Sequence, residues 1–196
     1  ADEDVEGGLT VAHSIAFIQK MTELGLDYVD VSAGVYESAP TIIQPMDLPE
    51  GVLLPIAKEM KRSLDIPVIA AGRINTMDLA ERALEAGDAD FIHMGRAFHC
   101  DPEIYEKAVS GRSEETIRCI GCNKCIGTVF SDNRMVCTVN PVAGREREMP
   151  LRPAEKPRRV MVVGGGMAGM EVAATAAQRG HSVTLYVKSD GLGGHL

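Results

Sequence analysis

The sequence predicts an α/β protein in which parallel strands alternate with helices. Residues 1–111 repeat an apolar strand pattern and an amphipathic helix pattern, and each strand pattern closes at a glycine. Residues 158–196 open a second strand–turn–helix unit around a glycine-rich turn, whereas residues 112–157 lose the alternation and hold most of the cysteines. Near-continuous apolar strands are typical of parallel sheets that are covered on both faces.

The elements of the first region follow one another in a regular order. Gly25 is expected to end the first helix, Asn75 or Thr76 to cap the third, and Asp101 to cap the last. Three strands cannot close a barrel, so the pattern fits a doubly wound sheet, or a (β/α)8 barrel whose other strands lie outside the chain. The predicted order is helix 10–26, strand 27–34, helix 53–64, strand 66–72, helix 76–87, strand 89–95 and helix 101–111.

The remaining residues predict a linker and a second unit. Residues 112–157 are expected to be ordered near the cysteines and extended further on, because they are rich in proline and charge. A strand over 158–166, a helix over 167–180 and a strand over 181–187 are expected to follow.

Composition excludes several classes of function. The formal charge of -8 argues against nucleic-acid binding, which requires clustered Lys and Arg. No apolar run is long enough to span a bilayer and no secretion signal opens the sequence, so a cytoplasmic location is expected. The oligomeric state is left open, with a homo-oligomer among the alternatives.

Four cysteines are arranged as C-x2-C-x2-C-x11-C, at Cys119, Cys122, Cys125 and Cys137. Three cysteines in one tight run suit one face of an iron–sulfur cluster, with the fourth supplied from further along. Zinc sites more often use two separated C-x2-C pairs, and disulfides belong to oxidising compartments. The spacing therefore favours a [4Fe–4S] cluster, with zinc and disulfides as alternatives. Cys100 lies outside this spacing and is expected to be a buried thiol.

Two Gly-Arg pairs stand at the ends of successive predicted strands, at Gly72–Arg73 and Gly95–Arg96. Ligands of parallel α/β folds bind at the carboxyl ends of the strands. Glycine lets the backbone approach a phosphate, and arginine supplies charge and a bidentate fork. The two pairs therefore predict a phosphate site, the alternative being that both arginines form surface ion pairs.

A dinucleotide-binding turn is predicted by G-x-G-x-x-G at Gly164, Gly166 and Gly169, between a strand and a helix. In such sites an acidic residue at the end of the next strand holds the ribose hydroxyls. Val187 stands there instead. Affinity for the dinucleotide is then weakened, or Asp190 takes over the contact, or the sequence has diverged at this point.

Taken together, these segments resemble the iron–sulfur flavoenzymes of the NADH:flavin oxidoreductase (old yellow enzyme-like) family. This family includes the 2,4-dienoyl-CoA reductase, 2-enoate reductase and trimethylamine dehydrogenase types. Each matching motif is weak alone, but their combination and order are specific. The motifs are "EGGLT", "VSAGVYES", "PVIAAGRI", "ADFIHMGRAFHCDPE", "CIGCNKC" with Cys137, and "VVGGGMAGMEVA" with "GHSVTLY" and "LGGHL".

The resemblance implies a fold for each region. Residues 1–111 would be the C-terminal part of an FMN-binding TIM barrel and 112–157 a [4Fe–4S]-binding segment and linker. Residues 158–196 would begin a Rossmann-like FAD/NAD(P)-binding domain. The chain, from Ala1 to Leu196, is then expected to be a fragment that does not catalyse or fold stably alone.

The resemblance also implies site residues. Arg73, Gly95 and Arg96 would hold the FMN phosphate. Tyr36 aligns with an active-site histidine of the family, and a phenol can donate a proton to a developing enolate.

In the FAD unit, Ala168 and Val187 match positions that contact FAD in the family. His195 stands where the family has a glutamine that touches FAD.

The implied activity is an oxidoreduction. Electrons would pass from NAD(P)H through FAD and the cluster to FMN, which would reduce an activated C=C bond of an enoate or enoyl-CoA. One alternative is an amine dehydrogenase or demethylase of the trimethylamine dehydrogenase type. Another is a non-catalytic metal-binding linker.

Overall fold

A computed structural model describes residues 1–131 and 133–193, and it confirms the α/β class. The chain divides into two compact units, residues 1–144 and 145–196. The first unit contains α1 (Val11–Thr22), β1 (Val29–Val31), α2 (Ala39–Ile42), α3 (Leu54–Ser63), β2 (Val68–Ala70), α4 (Met77–Glu85), β3 (Phe91–Ile92), α5 (Gly95–Cys100), α6 (Ile104–Val109) and α7 (Lys124–Val129). The second unit contains β4 (Arg159–Val163), α8 (Met167–Gln178) and β5 (Ser182–Tyr186).

The sheet of the first unit is parallel, with the strand order β1-β2-β3. Val31, Val68 and Ala70 point to one face of it, where α3 covers them and leaves at most 1% of each exposed. Apolar side chains with period two build this core, as expected for strands packed under helices. Because the strands are parallel, the segments that follow them meet at one edge of the sheet, and this edge positions the candidate site.

Caps and turns fix the ends of the helices. The Thr76 hydroxyl accepts a hydrogen bond from the Leu79 N–H at 3.2 Å, so Thr76 is the cap of α4, one of the two predicted alternatives. Helix α1 ends at Thr22, and Gly25 adopts a φ of 95° in the turn that follows. A left-handed turn at glycine is the usual way for a helix to stop.

Three helices were not predicted. Helix α2 lies between the first predicted strand and the second predicted helix, where no element was expected. Gly95 begins α5, where the sequence pattern placed the end of a strand. Helix α7 begins inside the run of cysteines. Helix α2 has four residues and the other two have six, which is too short for a clear amphipathic period.

The Asp101 cap was predicted wrongly. Helix α6 begins at Ile104, with Glu103 as its cap residue. Asp101 is instead buried, and its carboxylate accepts hydrogen bonds from Lys107 Nζ at 2.7 Å and from the Ile117 N–H at 2.8 Å.

The second unit is a parallel pair of strands with one helix. Strands β4 and β5 pair in register from Arg159 with Ser182 to Val163 with Tyr186, and α8 connects them. A helix that crosses over between two strands is the usual connection between parallel strands. Among the described residues, no helix combines the length and apolar character that crossing a bilayer requires.

Candidate functional site

The two Gly-Arg pairs line one cavity of about 230 Å³ at the carboxyl edge of the first sheet. Gly72 and Arg73 follow β2, and Gly95 and Arg96 begin α5 after β3. The parallel arrangement therefore brings together residues that are far apart in sequence. Besides these pairs, the walls are formed by Ile42, Ile43, Gln44, Ala71, Ile74, Asn75, His93 and Ile126.

Arg73 is held in an unusual conformation. Its φ is 60° and that of Gly72 is 102°, so two successive residues are left-handed. Arg73 donates a hydrogen bond from Nη1 to the Met46 carbonyl at 3.1 Å, but its Nε is buried and has no partner among the described residues. Strained backbone and an unsatisfied buried donor cluster at ligand sites. Arg73 Nε is therefore a candidate donor to a ligand.

Arg96 connects this cavity to the run of cysteines. Its Nη1 donates to the Gln44 carbonyl at 2.7 Å and to Oδ1 of Asn123, which lies between Cys122 and α7. Asn123 Nδ2 in turn donates to the Ile43 carbonyl at 3.0 Å. Among the residues that the structure describes, both arginines bond to carbonyl or amide oxygens and neither pairs with a carboxylate, in contrast to the alternative of surface ion pairs.

A glycine allows the cysteine loop to approach Arg73. Gly121 has a φ of 70°, and a Cβ added there would lie 3.1 Å from Arg73 Nε and 3.2 Å from Met46 Cα. Any larger residue would push the loop away from the arginine.

All four predicted ligands line one small cavity, whose free volume is about 20 Å³. Cys119 and Cys122 lie in the loop before α7, Cys125 lies within α7, and Cys137 returns from beyond it. None of the chain's five cysteines is in a disulfide. Across residues 1–131 and 133–193, no three His, Cys, Asp or Glu side chains are grouped closely enough to hold a single metal ion.

The thiols differ in their electrostatic environments. Burial acts to raise the pKa of Cys122, but a hydrogen bond with the Thr138 hydroxyl at 3.2 Å, backbone hydrogen bonds and, last, the nearby Arg96 charge outweigh it, so the pKa is lowered. Burial raises the pKa of Cys125, and Cys119 nearby adds to the effect. A thiol with a lowered pKa is the more readily converted to the thiolate that binds metals.

Cys100 is buried, as expected, but it is not isolated. Its Sγ donates to the Ile117 carbonyl at 3.2 Å. Burial raises the pKa of Cys100 to about 12, with Cys137 and Cys119 contributing. Cys100 therefore packs beside two of the four candidate ligands as a neutral thiol.

Sequence reasoning missed three residues of this site. Asn123 precedes α7 with a left-handed φ of 55°. Asn tolerates this conformation better than most residues, but that preference alone does not indicate a functional role. Gly121 lies between Cys119 and Cys122, where the cysteine motif accepts any residue. His99 belongs to no metal-ligand motif in the sequence, yet it lines the cavity with the four cysteines.

The glycine-rich turn of the second unit has the tight geometry that its motif predicts. Gly164 has a φ of 109°, and its N–H bonds to the Tyr186 carbonyl at 2.8 Å. Gly166 is the cap residue of α8. A Cβ on Gly169 would overlap the carbonyl oxygen of Gly164, so only glycine lets the helix lie this close to the turn.

Val187 packs against this turn. It follows β5 directly, and a Cβ on Gly165 would collide with its Cγ1. Asp190 lies in the exposed bend that follows. Ala168 is in the first turn of α8. His195 lies outside the described residues.

Tyr36 begins a short 3-10 turn over Tyr36–Ser38 and is 89% exposed. The Ser38 hydroxyl anchors this turn by donating to the Glu3 carbonyl at 2.5 Å. The turn thus presents the phenol to solvent, on a segment that follows β1.

Two family models match the chain. The model of the NADH:flavin oxidoreductase / NADH oxidase family matches residues 1–115. The model of the pyridine nucleotide-disulphide oxidoreductases matches residues 142–194.

Known proteins resemble the chain over nearly all of its length. It is 46% identical to an NADH oxidase of Thermoanaerobacter brockii over 100% of the chain and 31% of that protein. The structure of a 2-naphthoyl-CoA reductase complex matches with a TM-score of 0.88 and 38% identity, over 98% of the chain and 30% of the other. A histamine dehydrogenase from Rhizobium sp. 4-9 matches with a TM-score of 0.85 and 31% identity, over 98% and 28%. The chain thus spans about a third of the length of these relatives.

Proposed function

The chain belongs to the NADH:flavin oxidoreductase / NADH oxidase family, and we propose that it carries the FMN-phosphate, iron–sulfur and FAD sites of an NAD(P)H-dependent reductase. On this proposal the three parallel strands of the first unit belong to a (β/α)8 barrel, and the second unit opens a Rossmann-like domain. When bound, the cofactors supply the transfer of electrons from NAD(P)H to an activated C=C bond.

The arginine cavity would hold the FMN phosphate. Arg73 offers its unsatisfied Nε and Arg96 its fixed charge, while Gly72 and Gly95 keep the backbone free of side chains at the phosphate. This site lies at the carboxyl edge of the sheet, where barrels bind phosphate after their last two strands.

The four-cysteine cavity would hold a [4Fe–4S] cluster. Its donor set is all sulfur, which suits iron–sulfur clusters and zinc. The close spacing of Cys119, Cys122 and Cys125 suits one face of a cluster, and Cys137 lines the same cavity. A free volume of about 20 Å³ has room for roughly one water, so the cysteine side chains must turn outward around a cluster.

The glycine-rich turn would hold the FAD pyrophosphate. Gly164, Gly166 and Gly169 bring the backbone of the turn and the start of α8 close to the phosphates, and Ala168 lies beside them. Val187 provides an apolar contact at the position where a carboxylate is usual, so we expect ribose recognition to be weak here.

The substrate class is proposed from the relatives and from one side chain. The 2-naphthoyl-CoA reductase complex supports an enoate or enoyl-CoA type of substrate. Tyr36 would act as the proton donor to the carbon next to the reduced one. A second candidate is amine oxidation, which the match to a histamine dehydrogenase supports.

Tyr36→Phe separates a chemical role from a packing role. Because the phenol is almost fully exposed, its removal should leave folding unchanged. We expect kcat for the unsaturated substrate to fall by about 100-fold, the usual effect of losing a general acid, with flavin content unaffected. Unchanged turnover of both unsaturated and amine substrates would remove Tyr36 from the mechanism.

The observation that carries the proposal is the single cavity lined by all four cysteines and joined to the arginine cavity by Asn123. The test is to purify the intact protein without oxygen and to measure flavin, iron and acid-labile sulfide. We expect about four iron and four sulfide atoms per chain and a broad visible absorbance.

Variants assign the metal to this cavity. Cys125→Ser is expected to lose the iron, whereas Cys100→Ala, which changes the buried thiol beside the same cavity, should retain it. Colourless protein with one zinc per chain would overturn the cluster, and iron retained in Cys125→Ser would place it elsewhere.

A further inference from the structure

We propose that His99 donates a hydrogen bond from Nε2 to a sulfur of the group bound in the four-cysteine cavity and thereby raises its reduction potential. This inference rests on the proposed function, because it requires a cluster in that cavity. It assigns a role to a side chain that belongs to no metal-ligand motif in the sequence.

Two observations on His99 support this role. His99 lines the same cavity as Cys119, Cys122, Cys125 and Cys137. Its Nε2 is buried and has no hydrogen-bond partner in the described part of the chain.

The position of His99 is fixed by its neighbours. It lies in the last turn of α5, between residues that anchor the helix: Ala97 is 2% exposed and Cys100 is fully buried. Cys100 also bonds to the Ile117 carbonyl, and its own carbonyl accepts from Asn140 Nδ2 at 2.9 Å. These contacts fix the end of α5, and therefore the position of the His99 imidazole at the cavity.

In the tautomer that carries its proton on Nε2, the missing partner of His99 is a hydrogen-bond acceptor. A buried, unsatisfied N–H is costly, and such groups in folded proteins nearly always have a partner. The other polar side chains of the cavity are engaged elsewhere: Asn123 bonds to Arg96 and Ile43, and the Thr138 hydroxyl bonds to Cys122. Cluster sulfide and cysteine thiolate are the acceptors that the proposed function would bring there.

A hydrogen bond from a protein donor changes the properties of an iron–sulfur cluster in a known direction. Reduction adds negative charge to the cluster, and a donor aimed at its sulfur stabilises that charge. His99 in its Nε2-protonated form would therefore raise the potential, and its loss would lower it. Since His99 would touch the cluster without ligating it, it is a positioning and tuning residue.

The first experiment needs no substitution. The intact protein is labelled with 15N-histidine, the cluster is reduced, and pulsed electron paramagnetic resonance measures the coupling of 15N to the cluster spin. A weak coupling is expected from a nitrogen one hydrogen bond away. Absence of any coupling from a reduced, fully loaded cluster would overturn the proposal, as would the strong coupling of a directly ligated nitrogen.

Variants assign the signal. His99→Leu should abolish the weak coupling and shift the midpoint potential to a more negative value. His99→Gln keeps a side-chain N–H and should retain a potential closer to that of the wild type. His13→Gln, which changes an exposed histidine at the start of α1, is the matched control and should alter neither reading.

Measuring iron and sulfide tests the presence of the cluster separately from the role of His99. Wild-type protein without iron and sulfide would overturn the proposed function together with this inference. A loaded cluster whose potential and 15N coupling are the same in His99→Leu as in the wild type would overturn only the role of His99.

Discussion

Asp101 shows how one buried carboxylate can organise a functional segment. It is 2% exposed and accepts hydrogen bonds from Lys107 Nζ, the Glu103 N–H and the Ile117 N–H. Ile117 lies two residues before Cys119, so this carboxylate fixes the chain where it enters the four-cysteine cavity. Burial acts to raise the pKa of Asp101, but the Lys107 and Ile117 hydrogen bonds outweigh it and the pKa is lowered.

Asp101→Asn is expected to destabilise the protein. Lys107 keeps its charge in a site where its side chain is only 11% exposed, and a buried charge that loses its partner costs about 3 kcal/mol. Urea denaturation of the intact protein measures this. Asp78→Asn is the control, because Asp78 pairs with Arg82 on the surface and its loss should cost about 0.5 kcal/mol or less.

The same pair predicts a dependence of stability on pH. Since the folded-state pKa of Asp101 lies below its ordinary value of 3.8, its contribution is complete above that pH. It is lost as the pH falls through the folded-state value. The difference in unfolding free energy between wild type and Asp101→Asn should therefore shrink below about pH 4. A difference that grows in acid would contradict this assignment.

Arg73→Gln tests the unsatisfied guanidinium. Glutamine keeps a hydrogen-bonding side chain but removes the charge, and a charge-assisted bond contributes about 2 kcal/mol. FMN should therefore bind about 30-fold more weakly, as measured by titrating flavin into the flavin-free intact protein. Riboflavin, which lacks the phosphate, is the matched ligand and should bind the variant and the wild type alike.

At the level of single residues, the sequence predicted which side chains are candidate ligands better than it predicted the contacts between them. Spacing alone selected the four cysteines, because ligands that share a loop are close in sequence. The bond from Arg96 to Asn123 spans 27 residues, and the one from Asn75 Nδ2 to the Cys119 carbonyl spans 44. No local pattern records such pairs, so Asn123 and His99 emerged only once the chain was folded.

At the scale of elements, the turn after β2 brings a strand end, a helix start and an arginine together. Gly72 has a φ of 102°, and a Cβ there would lie 2.7 Å from both Cβ and Cγ of Leu53, the residue before α3. Leu53 is 4% exposed and cannot withdraw into solvent. The backbone at Gly72 therefore sets both the packing of α3 and the position of Arg73.

Gly72→Ala should destabilise the first unit by about 3 kcal/mol, since it combines left-handed strain with overpacking. Gly87→Ala is the control, because Gly87 is also left-handed, with a φ of 66°, but has open space around it. It should cost only about 1 kcal/mol. Equal losses in urea denaturation would mean that contact with Leu53 is unimportant.

Long helices were predicted well and short ones were not, whereas β1, β2 and β3 were predicted in the right places but are only two or three residues long. The parallel strands and helices α1, α3, α4 and α8 follow from apolar periodicity, which is strongest when an element packs against a core. Helix α7 was not predicted because it has no apolar period: four of its six residues are polar, small or a candidate metal ligand. These are Lys124, Cys125, Gly127 and Thr128. Its place is determined by the cavity beside it and not by an apolar face.

At the scale of the whole molecule, the chain consists of two compact units. Each unit has its own parallel sheet and its own candidate cofactor site. The α/β class and the family could be predicted from the sequence because they depend on motifs in a fixed order. The cavities could not, since they are made by segments that meet only in three dimensions.

Gly169→Ala tests whether the two units act separately. Because the new methyl group would overlap the Gly164 carbonyl, α8 must move away from the turn and FAD binding should be lost. FMN and iron contents should stay at wild-type values, since both sites lie in the other unit. Gly191→Ala, which meets nothing within 4 Å, is the control and should leave all three contents unchanged.

One amide has a consequence for how such a protein is assembled. Asn123 holds Arg96 through its oxygen and the Ile43 carbonyl through its nitrogen, while its backbone shapes the loop of cysteines. Coupling between two binding events is reciprocal. On the proposed function, whichever of FMN and the cluster binds first would therefore help to order the site of the other.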